Sequence, residues 1–230
     1  MADFLTALPL FSLALTFCAF QIGTWLQKKT GSALCNPILV GAILVIAVLL
    51  ITGIDPEVYE NDTQGISWLL TPATVCLALP LYRHIKVLKK DLPAILTGII
   101  SGSVAGLACI FLLCKLFDLN HELTVSLLPK SITTAIGTAL ASQNGGNTAL
   151  TAVVIIITGV FGNLIGTSFS KLLKLDDPIS QGVAFGTASH LGGTSKATEI
   201  HPITGAVSSL SLVVAGIFTA VVFPLICNFL

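Results

Sequence analysis

Charge is what this sequence has least of. Only 10% of its 230 residues are charged and 7% aromatic, and the 11 basic and 11 acidic side chains cancel. With no net charge, no global field exists to recruit nucleic acid or an acidic partner. Catalytic signatures are missing as well. The chain has no GxSxG elbow, HExxH helix, Walker loop or CxxC pair, and its hydroxyl clusters lack the adjacent acid that would complete a triad. Neither an enzyme nor a cofactor or metal is expected. Cys18, Cys35, Cys76, Cys109, Cys114 and Cys227 are scattered through apolar stretches. Their spacing suits neither metal ligation nor a secreted disulfide framework, so they read as small hydrophobes in helix packing.

What is abundant is hydrocarbon. Hydrophobic residues make up 54% of the chain and the mean hydropathy is +0.95, beyond the range of a soluble domain. The charges are clustered, leaving uncharged runs at 4–27, 30–54, 63–82, 92–114, 131–170, 178–195 and 200–230. A bilayer core takes about 20 apolar residues per helix, and most of these runs reach that length. The run 131–170 is roughly twice as long and must hold more than one element, broken near 143–147. Because lipid offers the backbone no hydrogen-bond partners, the runs are read as helices. The expectation is an all-α polytopic membrane protein, one transmembrane domain over 1–230. It has about eight membrane segments, near 5–27, 33–53, 65–83, 92–116, 124–142, 148–171, 178–197 and 204–229. The first is read as a retained helix, since no basic flank precedes it and it is too long for a signal-peptide core.

Basic residues gather at Lys28–Lys29 and again at Arg83, Lys86, Lys89 and Lys90, whereas the loop expected between them carries Asp55, Glu57, Glu60 and Asp62. The positive-inside rule places the basic loops in the cytoplasm and the N-terminus outside; it does not decide the C-terminal half. Segments 4, 6 and 8 read as packing helices. Gly98, Gly102 and Gly106 recur every fourth residue, and Gly159, Gly162 and Gly166 form a looser version of the same surface.

Segments 3, 5 and 7 differ, for each sets hydroxyls, proline or glycine inside an apolar run. They contain Leu70-Thr71-Pro72-Ala73-Thr74, then Pro129-Lys130-Ser131-Ile132-Thr133-Thr134, then Gly186 through Thr194. Interrupted or re-entrant helices are expected at all three. Leu70–Val75 also echoes Leu127–Ile132, a pattern compatible with an internal repeat. Breaks in corresponding places point to a midplane site.

Lys130 lies between a proline and a Ser/Thr cluster, with forty uncharged residues after it. A lysine at membrane depth needs a partner or a water pathway, or else snorkels to an interface. His190, in the most glycine-rich polar stretch, suits a proton relay or an anion contact, or simply bonds a neighbouring helix. Lys196 and Glu199 form a helical pair at i, i+3. Asn36 and Asn147 fit helix caps as well as site amides. Half-helix N-termini with Lys130, Lys196 and His190 nearby would welcome a small carboxylate.

Asn36-Pro37, Leu70 through Tyr82, Leu128 through Thr134, Gly186 through Thr194 and Gly205 through Leu210 together resemble, in order, the LrgB/CidB family of bacterial inner-membrane proteins. The resemblance implies a multi-pass inner-membrane protein working with a smaller LrgA-type membrane partner. It also implies one of two roles. One is carriage of small monocarboxylates of the pyruvate, glycolate, glycerate or lactate class, as bacterial and plastid relatives suggest. The alternative is a holin- or antiholin-like pore or regulator of murein hydrolase export and lysis. The polar interruptions favour carriage, since a pore needs only helices that oligomerise; a homo-oligomer stays open. The expected site joins Pro72, Thr74, Pro129, Ser131, Thr133, Thr134, Gly192 and Gly193, with Lys130 and His190 holding the carboxylate and Thr194, Asn147 and Asn36 in support. One departure stands out: the family's motif continues Thr-Thr-Pro, but Ala135 follows Thr134 here.

Overall fold

In the computed structural model the described residues are 9–30, 35, 37–69, 72, 75–76, 78–83 and 85–228. They fall into two compact units, Met1–Cys76 and Leu77–Leu230. All regular elements among the described residues are helices.

The first unit holds α1 (Pro9–Thr30), α2 (Pro37–Thr52) and α3 (Pro56–Ser67). α1 and α2 pack through small residues: a Cβ on Gly23 would lie 2.8 Å from the Pro37 backbone, so only glycine permits that approach. The acidic stretch read as a loop is instead the amphipathic α3. The Asp55 carboxylate accepts from the Glu57 N–H at 3.0 Å, and Pro56 supplies a ready-made first turn. α3 is tied to α1 where the Ser12 hydroxyl donates to Asp62 at 2.7 Å and Thr16 shares a 2.7 Å bond with the Tyr59 hydroxyl.

The second unit holds α4 (Ala78–Arg83), α5 (Ile85–Lys90), α6 (Leu92–Leu116), α7 (His121–Leu127), α8 (Thr134–Gln143), α9 (Thr148–Leu172), α10 (Pro178–Ile200) and α11 (Pro202–Cys227). Its apolar core has two parts. Leu107, Ile110 and Cys114 of α6 meet Val125, Leu128, Ile132, Leu140 and Phe223; nearer the other end, Ile95 and Ile99 meet Leu88, Val207 and Ala215. α10 and α11 make the most extensive helix contact. Gly182 and Gly186 allow it, since a Cβ on either would fall 2.7 Å or less from the α11 backbone at Thr204 or Ser208.

Among the described residues, four helices are long and apolar enough to cross a bilayer: Leu10–Thr30, Leu92–Leu116, Thr148–Leu172 and Pro202–Cys227. α2 is apolar but has only 16 residues. The other expected spans depart for local reasons. Segment 5 is divided into α7 and α8 by the stretch 128–133. Segment 7 is one element with a kink, and its hydroxyls and glycines lower its hydropathy. Of segment 3, the first arm of the echo, Leu70–Val75, lies largely outside the described residues, and the end forms the short helix α4. The break expected near 143–147 is present: α8 stops at Gln143, Gly145 turns the chain at φ +81°, and Asn147 caps α9.

α10 starts on an Asp-Pro cap. Both the backbone N–H and the hydroxyl of Ser180 donate to the Asp177 carboxylate at 2.8 Å, and they hold that carboxyl below its ordinary range. Its folded value is therefore lower than its unfolded one. The cap's contribution is complete above the unfolded value and disappears as pH falls through the folded value. Asp177→Ala is expected to cost about 1 kcal/mol at neutral pH. Chemical or thermal unfolding of the two proteins in detergent should show that difference closing in acid.

Candidate functional site

The break at 128–133 arises because Pro129 has no N–H to continue α7. Two short turns replace the helix, with Lys130 N–H donating to Leu127 O at 3.2 Å and Ile132 N–H to Pro129 O at 3.3 Å. Leu128, Pro129 and Ile132 are fully buried, anchoring the turn in the core. Lys130 and Ser131 are half-buried and line a cavity of about 800 Å³ between this turn and helices α6, α9, α10 and α11. The rest of the wall is mostly apolar, with Leu107, Ile157, Phe161, Ile165, Val183 and Phe185 among its residues.

Among the described residues, Lys130 is the sole charged side chain in that lining. Its one direct bond among the described residues is a long contact from Nζ to the Ser131 hydroxyl, 3.5 Å. Ion pairing among the described residues is confined to Lys196–Glu199, 2.8 Å apart near the end of α10. Lys130 thus presents its charge to the cavity with no carboxylate in ion-pair range among those residues.

The second break lies in α10, where Ser189 (φ −133°, ψ 18°) and His190 (φ +40°, ψ −131°) leave helical geometry. A positive φ on a non-glycine residue costs of order 1–3 kcal/mol and persists only where its surroundings fix it. Here they do. The His190 ring donates from Nε2 to the Ile155 carbonyl at 2.7 Å, and the Thr194 hydroxyl donates to His190 O at 2.9 Å. The looser glycine stripe of α9 is the receiving surface: a Cβ on Gly159 would be 2.6 Å from the His190 ring, one on Gly162 within 2.2 Å of Ser189, and one on Gly166 within 2.2 Å of Phe185. Read from sequence as ordinary packing, this stripe is the mould for the broken helix.

The candidates therefore separate. Lys130, Ser131 and Pro129 line the cavity. His190 is buried in the α9–α10 contact and is not in the lining; neither are Gly192, Gly193 and Thr194, which pack against Gly159, Phe185 and the Ser208 hydroxyl. Thr133 holds the N-cap position of α8 and Thr134 begins that helix, both away from the lining. The Asn147 side chain caps α9 by accepting from Leu150 N–H at 3.0 Å, while its own N–H donates to the Ser126 hydroxyl at 2.7 Å. Pro72 is helical and exposed, in the first unit; Thr74 and Asn36 lie outside the described residues. Ser103, Thr158, Ser170, Ser180 and Thr219 also line the cavity although sequence reading did not select them, as do Thr187 and Ser189 from the Gly186–Thr194 stretch that it did. The only signal for Ser103 was a hydroxyl next to a glycine repeat.

These features define a multi-pass helical membrane protein with a cavity built around two broken segments. Compared with known proteins, residues 16–229 match the model of the LrgB-like family, and the chain belongs to that family. It is 37% identical over 220 residues to the antiholin-like protein LrgB of Bacillus subtilis, covering 95% of each chain. It is 33% identical over 214 residues to the holin-like protein CidB of Staphylococcus epidermidis, covering 93% of each. To the holin-like protein CidB of Staphylococcus aureus it is 31% identical over 226 residues, covering 98% of each. No solved structure matches the chain.

Proposed function

We propose that this protein carries small monocarboxylates, of the pyruvate, glycolate, glycerate or lactate class, across a bacterial inner membrane. The observation that carries the reading is Lys130, the one charge in a mostly apolar wall, with no carboxylate in ion-pair range among the described residues. A cation at membrane depth is costly alone, and a mobile anion is the partner that repays its desolvation only while bound. The substrate's apolar carbons suit the surrounding wall, whereas bulk cations are repelled. No chemical step on the substrate is part of this reading, and a smaller LrgA-type membrane protein is its proposed companion.

A second reading has its own support. The relatives are named holin-like and antiholin-like, which favours the reading as a pore or lysis regulator. The two differ in what crosses the bilayer and how. The purified protein in proteoliposomes is expected to take up labelled pyruvate or glycolate with saturation, and the acids should compete. Leakage of unrelated solutes with no saturation would instead establish the pore.

A further inference from the structure

We propose that α7–α8 and α10 are two hairpins entering the bilayer from opposite faces, and that the first of them is the outer gate of the cavity. The gate rests on the carrier reading; the hairpins do not. A helix that ran straight through its break would hold residues eight apart at about 12 Å from one another. Instead, a Cβ on Gly193 would collide with the Phe185 carbonyl oxygen, and one on Gly137 would lie 3.4 Å from that of Pro129. The chain therefore doubles back at His190 and again at the turn 128–133. The far ends agree. At the start of α7 the His121 ring donates from Nε2 to the carbonyl of Asn144, just past the end of α8, at 3.2 Å. Both arms of α10 pack on the start of α11: a Cβ on Gly182 would lie 2.7 Å from Thr204 O, and one on Gly205 2.8 Å from the Thr198 Cα. α8 has 10 residues, about 15 Å, which is half of a bilayer core of about 30 Å. The arms of α10 on either side of 189–190 are of similar length.

α9 fixes which way each hairpin points. The first has its ends at the start of α9, where Asn147 N–H donates to the Ser126 hydroxyl at 2.7 Å and the Thr151 hydroxyl donates to the Ser126 carbonyl at 3.0 Å. The second enters beyond the opposite end, where the Gln181 amide donates to the Leu175 carbonyl. Between the two ends, both meet Ile155. Its carbonyl holds the His190 ring, and its Cδ1 is 2.5 Å from where Gly137 would carry a Cβ.

The reach of the cavity follows. From the first turn it extends only toward the end where the second hairpin enters: α9 lines it from Ile157 to Leu173, and no residue of 148–156 does. α6 starts at that same end, since Gly98 and Gly102 meet Val183 and Thr187 in order. The end is basic, with Lys86, Lys89 and Lys90 ahead of α6 and Lys171 and Lys174 at the close of α9. The positive-inside rule makes it cytoplasmic, and the stretch 118–170 then crosses the bilayer once. On the other side Leu128 and Ile132 of the first hairpin close against Leu107, Ile110 and Phe223. The cavity is thus open inward and shut outward. Hydrogen bonds tie this hairpin to α9, whereas its seam with α6 and α11 is one of apolar side chains, with Thr124 beside the Cys114 thiol. Among the described residues no backbone hydrogen bond joins α7 or α8 to α11 or to the body of α6. That seam parts without stranding a backbone group, and Lys130 passes from inward to outward exposure as it does.

Single cysteines, in a background whose six native cysteines are alanine, test the hairpins with a membrane-impermeant maleimide on intact cells and on inverted vesicles. Glu122→Cys and Gln143→Cys should both label only from outside, and Asp176→Cys and Glu199→Cys only from the cytoplasm. Any other pattern overturns the proposal: a pair split between faces means a continuous crossing, and an exchange of faces makes the first hairpin the inner gate. For the gate, Thr124→Cys is set against native Cys114 with the other cysteines replaced. In proteoliposomes, oxidation to the disulfide with copper phenanthroline should cut uptake of labelled pyruvate by about tenfold or more, and dithiothreitol should restore it. Full uptake by the crosslinked protein, or failure of the pair to crosslink, overturns the gate and leaves the carrier reading intact. A parent protein that takes up no pyruvate overturns the carrier reading and the gate with it, while the labelling still decides the hairpins.

Discussion

Replacing Lys130 with alanine is expected to lower carboxylate uptake into proteoliposomes by about a hundredfold, the equivalent of about 3 kcal/mol for a hydrogen bond to a charged group in a dry wall. The fold should survive. Lys130 makes only the 3.5 Å contact to Ser131 and has no carboxylate in ion-pair range among the described residues, so its removal strands no buried counter-charge there. Its neighbours Leu128, Pro129 and Ile132, which anchor the turn, are untouched. Thermal unfolding in detergent should therefore give a midpoint at or slightly above that of the parent. Lys130→Arg keeps the charge but replaces a compact ammonium with a broad planar fork, and intermediate uptake is expected. Parental uptake by a folded Lys130→Ala protein would remove this residue from the mechanism. Loss of uptake together with loss of folding would instead make Lys130 a structural residue, contrary to its sparse contacts.

How far the sequence announces this arrangement depends on whether a feature is local. The caps are local, and they are legible: Asn147 and Asp177 stand where the chain rule for helix starts puts them. The break at Pro129 is equally plain, because a missing N–H acts where it occurs. The acidic helix α3 was hidden by habit rather than physics. Its charges suggest a loop, yet Asp55-Pro56-Glu57 is a helix start, and only an amphipathic reading of the next turns reveals it. His190 shows the opposite difficulty. Its stretch is visibly fragile, but whether the ring faces a cavity or a neighbouring helix depends on Gly159, 31 positions earlier in the chain, and no period in α10 encodes that meeting. Ser103 is least legible of all. A hydroxyl in an apolar helix gives the same sequence signal whether it bonds its own turn, as Thr97 does, or stays unpartnered at a wall. The charge in the candidate site was thus readable together with its neighbours Pro129 and Ser131, whereas most neutral groups that other helices bring to the wall were not.

The contact that fixes the second break predicts the largest effect on stability. Gly192 of α10 lies so close to α9 that an added Cβ would be 2.4 Å from the Gly159 carbonyl oxygen, 2.6 Å from its carbon and 2.7 Å from its Cα. All three are backbone atoms, so no side chain can rotate away, and one helix must move. Movement is resisted from both sides: the Ile155 carbonyl holds the His190 ring, and the Asn163 amide donates to the Gly192 carbonyl at 3.2 Å. Gly192→Ala is accordingly expected to cost about 3 kcal/mol, the upper end for overpacking at a close contact. Gly106→Ala supplies the contrast, since nothing lies within 4 Å of its added methyl. Alanine there also lowers the entropy of the unfolded chain, for a gain of about 0.5 kcal/mol. The two variants make the same chemical change in helices of one unit, so helix propensity should stabilise both alike and only the α9 backbone can separate them. Unfolding measured side by side in one detergent should place Gly192→Ala well below the parent and Gly106→Ala at or above it. Equal midpoints for the two would mean that α10 is not held against α9 at this break, and that the strained backbone of His190 needs another explanation.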